Sequence, residues 1–458
     1  MKKIIILLTL SLGGCNILDQ QSTNDVADAL VITSEEGANA ALIGLYNTLQ
    51  SRDYYGGNYQ LIADLYSDIG VDGGFDNVAL DEISSLYVTP SNIIIENTWL
   101  SIYNTIATAN AIIARVDDVS DPDFTTEEKA HIRGQALAIR ALAHFDLLRM
   151  FGEHFDLNSN FGIPVVTTVQ TANDVVARSS VQDTYDAILN DLDEASAAIL
   201  ADDRTKSFIN TMSVEALRAR VLLHAGRSED AAAAASLVID DGSYSLLNQD
   251  DFKAIYTSPY LSDESIFELT FNVQNRSAFN AATFSRTNAL RTEVLFLAES
   301  SMAEFFNSRP DDARASLIDF VNNDESIIPD GRTLKYRGEE TRDNPAFIIR
   351  LAEVYLIRAE ALGLAGGGLE DLNLIRINRG MSPFVESDFA DEAAFLNSVL
   401  DERKAELNFE GTRMFDLART GKVTETLGIE SYQAIFPVPL REIIATDGVI
   451  VQNPGYPQ

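Results

Sequence analysis

The chain has 458 residues, 46% of them hydrophobic, which is enough for a large core in one or two domains. Its net charge of −35 repels phosphate backbones, excludes nucleic acid as a general partner and favours a neutral ligand over a polyanionic one. With one Cys no disulfide framework is possible, and with one Trp against 15 Tyr and 23 Phe, any aromatic binding face must rest on Tyr and Phe.

Lys2 and Lys3 precede an apolar run, Ile4 to Leu12, followed by Gly13, Gly14 and Cys15. A basic start, a short apolar core and a small-residue cleavage site predict a secretory signal over 1–14; the run is too short to span a bilayer, which takes about 20 residues. The order Leu12-Gly13-Gly14-Cys15 resembles a bacterial lipobox, in which the cut precedes the cysteine and its sulfur carries lipid. Residues 15–30 then read as a lipidated tether, and 31–458 as the folded body, anchored to a membrane rather than crossing it.

Most of the body reads as helix. Ser34 is a predicted N-cap for a helix to about residue 50, with acids in its first turn and Ala38, Ala41, Leu42, Leu45 and Leu49 as its apolar stripe. Residues 51–91 are rich in Gly, Asp and scattered aromatics ("SRDYYGGNYQ", "VDGGFDN") and read as interrupted helix and loop. "DIGVDGGFDN" misses the calcium-loop spacing and reads as a polar turn. Helices are predicted from Ile93 to about Val116, with Trp99 in the core, over 125–152, and over 181–200. From Ser213, small and large apolar residues alternate across two helices broken at Gly226, and a weaker copy starts at Arg350 with its break at Gly366 to Gly368. Such hairpins resemble tetratricopeptide repeats, and their irregular spacing predicts a globular body on a helical-repeat scaffold rather than a uniform solenoid. Between about 245 and 345 the pattern changes to loops and short strands, "ESIFELTF" being the clearest strand.

In "DERKAELNFEGTRMFDLARTG", Arg403, Glu406, Glu410 and Arg413 stand three and four apart, which predicts a charge ladder on one helix face, with a bend at Glu410-Gly411. Glu406 and Glu410 project the same way and do not flank a bond as paired glycosidase carboxylates do, so the motif reads as structural. His131, His144, His154 and His224 show no zinc-protease spacing, and no phosphate loop or nucleophile elbow is present. No enzyme, cofactor or metal is expected.

The chain resembles the SusD/RagB outer-membrane lipoproteins. The resemblance rests on "ILD" after the cysteine, "GLYNTL" at 44–49, "TWLSIYNTIATANAII" from Thr98, "ALAIRALAHFDLLRMFG" at 136–152, "ESIFEL" from Glu264, "RLAEVYLIRAEAL" at 350–362, the 401–421 motif, "FPVPLREI" and "QNPGY". Met414, where the family usually has an aromatic, and "NRG" at 378–380 depart from its pattern. The resemblance implies a mostly α, SusD-like fold on a tetratricopeptide-like scaffold. It also implies a non-catalytic lipoprotein on the surface of the outer membrane, which captures oligosaccharide or polysaccharide and delivers it to a SusC-like TonB-dependent transporter. A peptide ligand, as for RagB-like members, and a scaffold binding only proteins are the alternatives. The family's ligand-facing segment resembles "LIADLYSDIG", which points to Asp64, Asp68 and the following Phe75, Asp76 and Asn77, flanked by Tyr54, Tyr55 and Tyr59. In the middle insert Tyr256, Tyr260, Arg332 and Tyr336 complete the candidate ligand-binding set, with the tyrosines as aromatic faces on loops.

Overall fold

The computed structural model describes residues 32–73, 77–171, 174–200, 205–257, 259–279, 286–287, 292–293, 296–320, 331–336 and 341–457. Cys15, Phe75 and Asp76 lie outside the described residues. Helix dominates, as the sequence reading has it, and no described helix is long and apolar enough to cross a membrane.

Helix α1 (Glu35–Leu49) starts where Ser34 accepts the Gly37 N–H, and buries Ala38, Leu42, Leu45 and Leu49. The stretch after it is more ordered than its Gly/Asp content suggests. It holds α2 (Asn58–Leu65), buried along its whole length, then strand β1 (Gly70–Asp72) and α3 (Val78–Ser84). Helix α4 (Ile93–Ile113) buries Trp99 as expected. Helix α5 (Thr126–Phe151) opens on a Thr125–Glu128 capping box and is buried on all sides from Gly134 onward. It packs against α1, α4 and α6 (Val181–Ala198). A cation inside such a helix needs a partner: Arg140 meets Asp191 of α6 through two bonds of 2.6–2.8 Å.

The two helical hairpins are α7/α8 (Thr211–His224, Ser228–Asp241) and α10/α11 (Leu351–Leu362, Gly368–Asn378). Although residues 242–350 intervene, α8 packs directly on α10, so the two repeats stack as neighbours. Ion pairs fix the stack, one buried and one partly exposed. Arg220 of α7 is bidentate to Glu353 of α10, and Arg358 of α10 is bidentate to Asp371 of α11 while reaching Ser236 of α8. The looped-out insert carries α9 (Ser300–Asn307) and short strands. These are β2 (Ser265–Leu269), β3 (Arg286–Thr287), β4 (Thr292–Glu293), β5 (Phe296–Ala298), β6 (Ile318–Asp319), β7 (Arg332–Thr333) and β8 (Ala346–Arg350). They form antiparallel pairs β1–β5, β2–β8, β3–β4 and β6–β7. The chain closes with α12 (Glu392–Leu407), α13 (Arg413–Arg419), α14 (Val423–Leu427) and α15 (Leu440–Ala445).

The motif at 401–421 bends as expected: α12 ends at Leu407, Phe409 takes φ +62° and Gly411 φ +75°. Its charges do not form a ladder along one helix. Each instead finds partners on other elements: Arg403 meets Asp416, Arg413 meets Asp68, and Glu410 meets Lys335 and Arg350. Glu406 holds Arg314, Arg350 and Arg379 together. All four of these side chains are buried, and a buried charge is tolerated only when paired, which the i,i+4 geometry of a solvated helix would not have supplied.

Candidate functional site

The residues that the sequence offers as an open aromatic platform are mostly core. Tyr54, Tyr55 and Tyr59 converge on one carboxylate: the hydroxyls of Tyr54 and Tyr55 donate to Asp146 Oδ2 (2.6 Å each) and that of Tyr59 to Oδ1 (2.7 Å). Arg149, three residues along α5, also binds Asp146 and donates to the Tyr59 hydroxyl at 2.6 Å. Burial pushes all three phenols well above their ordinary range, so they remain protonated donors. Tyr256 and Tyr336 are equally enclosed, their hydroxyls donating to Glu410 Oε1 (3.3 Å) and to the Phe409 carbonyl (2.8 Å). These five placements correct the expectation that the rings face a ligand, because a ring with a few per cent of its surface exposed cannot stack on a sugar.

Two carboxylates are corrected in the same way. Asp64 is fully buried and accepts the Gly411 N–H at 2.9 Å. Asp68 is pinned by Lys404 and Arg413 at 2.7 Å each; burial alone would raise its carboxyl, but these cations hold it down to about 2. Asn77 caps α3, accepting the Ala79 and Leu80 N–H groups. Arg332 lies on β7, partly covered and 3.9 Å from Asp319. Tyr260 is partly exposed on a turn at φ +58°.

The two sequence stretches do meet, through backbone rather than through those side chains. β1 pairs with β5 in the register Gly70–Ala298, Val71–Leu297 and Asp72–Phe296. Gly70 is required there: a Cβ would lie 1.9 Å from the Phe296 ring. Ala298 N–H then donates to Gly331 O and Gly331 N–H to Asp319 O, both at 2.7 Å, so β6 and β7 continue the same edge. On the other side Asp72 N–H donates to Ser84 Oγ, which ties α3 to β1.

Just beyond α3 stands an aromatic that sequence reasoning missed. Tyr87 is 67% exposed, the most exposed aromatic among the described residues. Its turn is rigid. Leu86 adopts φ +59°, which costs a non-glycine residue on the order of 1 kcal/mol or more. The Leu86 carbonyl accepts from Gln433 Nε2 (3.0 Å) and the Tyr66 hydroxyl (3.4 Å), while Glu82 Oε2 gathers Thr89 N–H, the Thr89 hydroxyl and Asn92 Nδ2 at 3.0–3.1 Å. The ring is therefore presented to solvent by a fixed frame in the turn after α3, the helix that Ser84 ties to β1. The signal in the sequence is slight: "SSLYVTPSN" runs from the last residue of α3 to Asn92, a composition that marks a turn but not which way its tyrosine points. Among the described residues no group of three or more His, Cys, Asp or Glu could hold a metal ion.

Comparison with known proteins agrees with this architecture along nearly the whole chain. A family model described as starch-binding associating with outer membrane matches residues 16–223, and the SusD family model matches residues 328–434. The SusD-like protein P38 of Formosa agariphila is 24% identical, with 96% of each chain covered. A crystal structure of a SusD superfamily protein from Bacteroides thetaiotaomicron superposes with a TM-score of 0.80 at 24% identity, covering 91% of this chain and 99% of that one. A laminarin-binding SusD-like protein superposes at 0.76 with 23% identity, covering 93% of this chain and all of its own. With two family models spread over both ends of the chain and a shared fold across its length, the chain belongs to the SusD/RagB family.

Proposed function

We propose that this chain is a non-catalytic, surface-exposed glycan-binding lipoprotein that hands neutral oligosaccharide to a SusC-like TonB-dependent transporter. The observation that carries the reading is Tyr87, held open in the turn after α3, the helix that packs on the β1–β5 edge. A planar apolar face on a rigid loop suits the C–H surface of a sugar ring, and its cost of ordering is already met by the frame. The family and the laminarin-binding relative support the ligand class, and the net charge of −35 disfavours uronate or sulfate polymers. The transporter is the partner that family membership suggests, and Cys15 is the proposed anchor.

The test is binding of the purified lipoprotein, in detergent, to an array of neutral and acidic glycans, followed by titration of the best neutral oligosaccharide. Tyr87→Ala is expected to weaken binding roughly five- to tenfold, the equivalent of about 1 kcal/mol from one aromatic contact. Tyr87→Phe is expected to retain most of the affinity, and raising salt to change little, since a neutral sugar has no charge to screen. Preferential binding of acidic glycans, or wild-type affinity in Tyr87→Ala, would refute the reading of this edge. For the anchor, Cys15→Ala is expected to move the protein out of the membrane fraction and abolish labelling by a radioactive fatty acid. Retention in that fraction with undiminished label would exclude Cys15 as the lipid site.

A further inference from the structure

A cavity of about 600 Å³ opens on the helical-repeat side, where the ends of α5, α7, α10 and α13 meet the starts of α8 and α12. That is within the usual range for small-ligand sites. His154 and His224 lie beside it, buried, with ring centroids 5.6 Å apart. Neither ring nitrogen of His154, nor Nδ1 of His224, has a hydrogen-bond partner within the described residues. Buried polar atoms left without partners are uncommon, and two adjacent imidazoles in this state call for a reason.

Each charged group of the lining already has a partner among the described residues. Arg419 is bound by Glu360 and Asp416. Glu392 accepts the Leu364 and Ala365 N–H groups at 2.9 and 3.0 Å. Burial, helped by Arg149 and Arg419, holds His154 down to about 3, and burial with Arg419 lowers His224 well below its usual value, so both rings are neutral. What remains is uncharged and two-faced. Neutral imidazoles offer both donor and acceptor nitrogens, and the N-terminus of α8, which no side chain caps, brings Ser228 to the wall. Phe155, 41% exposed, and Phe395 supply apolar surface. An anionic ligand finds no free cation here among the described residues, and a cationic one would compete with the N–H groups that Glu392 already holds. A purely apolar one would leave the imidazoles unpaired. A hydroxylated ring with an apolar face satisfies both.

We infer that this cavity is a second carbohydrate subsite, taking about one or two rings of a neutral sugar, remote in sequence from the β1–β5 edge. The inference rests on the glycan-binding reading proposed above.

The test uses the purified full-length lipoprotein in detergent and a panel of neutral disaccharides (laminaribiose, cellobiose, maltose and mannobiose), read by saturation-transfer NMR and titration. The background is Tyr87→Ala, which lacks the edge's aromatic face. At least one disaccharide is expected to bind in that background, and Phe155→Ala added to it is expected to weaken that binding at least fivefold. Phe155 is partly exposed, so its truncation leaves the fold in place; His224→Leu, checked for folding by circular dichroism, is a second probe of the same site. If no disaccharide binds in the Tyr87→Ala background while wild type binds longer glycans, the subsite is overturned and the glycan-binding reading stands. Binding that Phe155→Ala leaves unchanged overturns it equally. A Phe155→Ala protein that keeps its sugar binding but loses a co-purifying outer-membrane protein would make the cavity a docking surface instead. Wild type that binds no glycan of any length removes the underlying reading itself.

Discussion

Replacing Glu406 with Gln is expected to lower stability by about 3–5 kcal/mol, the usual cost of removing one partner from a buried charge cluster. The carboxylate sits among three guanidinium groups. Arg314 Nη1 donates to Oε2 at 3.0 Å, Arg350 Nη1 to Oε1 at 3.0 Å, and Arg379 to both oxygens at 2.9 and 3.0 Å. Burial would raise the carboxyl, but Arg379, Arg350 and Arg314 together hold it well below its ordinary range. A glutamine keeps one acceptor oxygen and turns an NH2 group towards guanidinium donors, so the substitution removes a charge and adds a donor–donor contact. Glu402 and Asp312 still serve Arg314, and Glu264 still serves Arg350 and Arg379, which is why the loss is not larger. The arginines come from β8, from the turn at 313–317 and from the residue after α11, so the cluster ties the middle insert to the α10–α12 scaffold. Thermal and urea denaturation read the effect. Below the variant's transition, glycan affinity should match wild type. A Glu406→Gln protein of unchanged stability that no longer binds glycan would instead make the motif part of a site.

The same cluster shows where sequence reading reaches its limit. Helices α1, α4 and α5 and both hairpins were legible because apolar residues recur along them at three and four, and Ser34 marks the start of α1. Those signals are local. The partners of Glu406 lie 27 to 92 residues away, and no spacing rule links them. The tyrosines failed for a related reason. "SRDYYGGNYQ" has the composition of an exposed loop, and only the folded chain shows that Asp146, 87 to 92 residues further on, receives all three hydroxyls. Gly, Asp and Asn around an aromatic mark a turn; whether the ring faces solvent is decided by what the rest of the chain lays over it. The convergence of the 51–91 and 245–345 stretches was legible as a pairing of inserts, and the β1–β5 ladder realises it. Tyr87, the ring left open, lacked the compositional cue that its buried counterparts carry.

Asp64→Asn is expected to stabilise the protein increasingly as pH rises from about 5 to about 8, by about 3–4 kcal/mol relative to wild type over that interval. Asp64 faces α13 and the 408–411 turn from α2. One oxygen accepts the Gly411 N–H, and Gly411 has to be glycine there, both for its φ of +75° and because a Cβ would lie 2.9 Å from the Gln60 Cα. The other oxygen, and Oε1 of Gln60 one helical turn earlier, have no hydrogen-bond partner, which leaves two enclosed acceptors side by side. A proton on Asp64 supplies the missing donor. Burial raises this carboxyl from 3.8 to about 8, against the opposing pull of the Gly411 N–H and Lys335 and with Glu410 adding to the rise. The folded chain therefore holds a proton that the unfolded chain releases near pH 3.8, and stability drains away as pH climbs through that window, at 1.36 kcal/mol per unit. Asparagine does not titrate, keeps an acceptor for Gly411 and offers its NH2 to Gln60. Glu268, raised to about 7 by burial, and His144, lowered to about 3 by burial, titrate in both proteins and cancel in the difference. Urea midpoints at half-unit steps of pH should thus diverge upward for the variant. Parallel curves would mean that Asp64 is ionised in the folded state and that its second oxygen is satisfied by water instead.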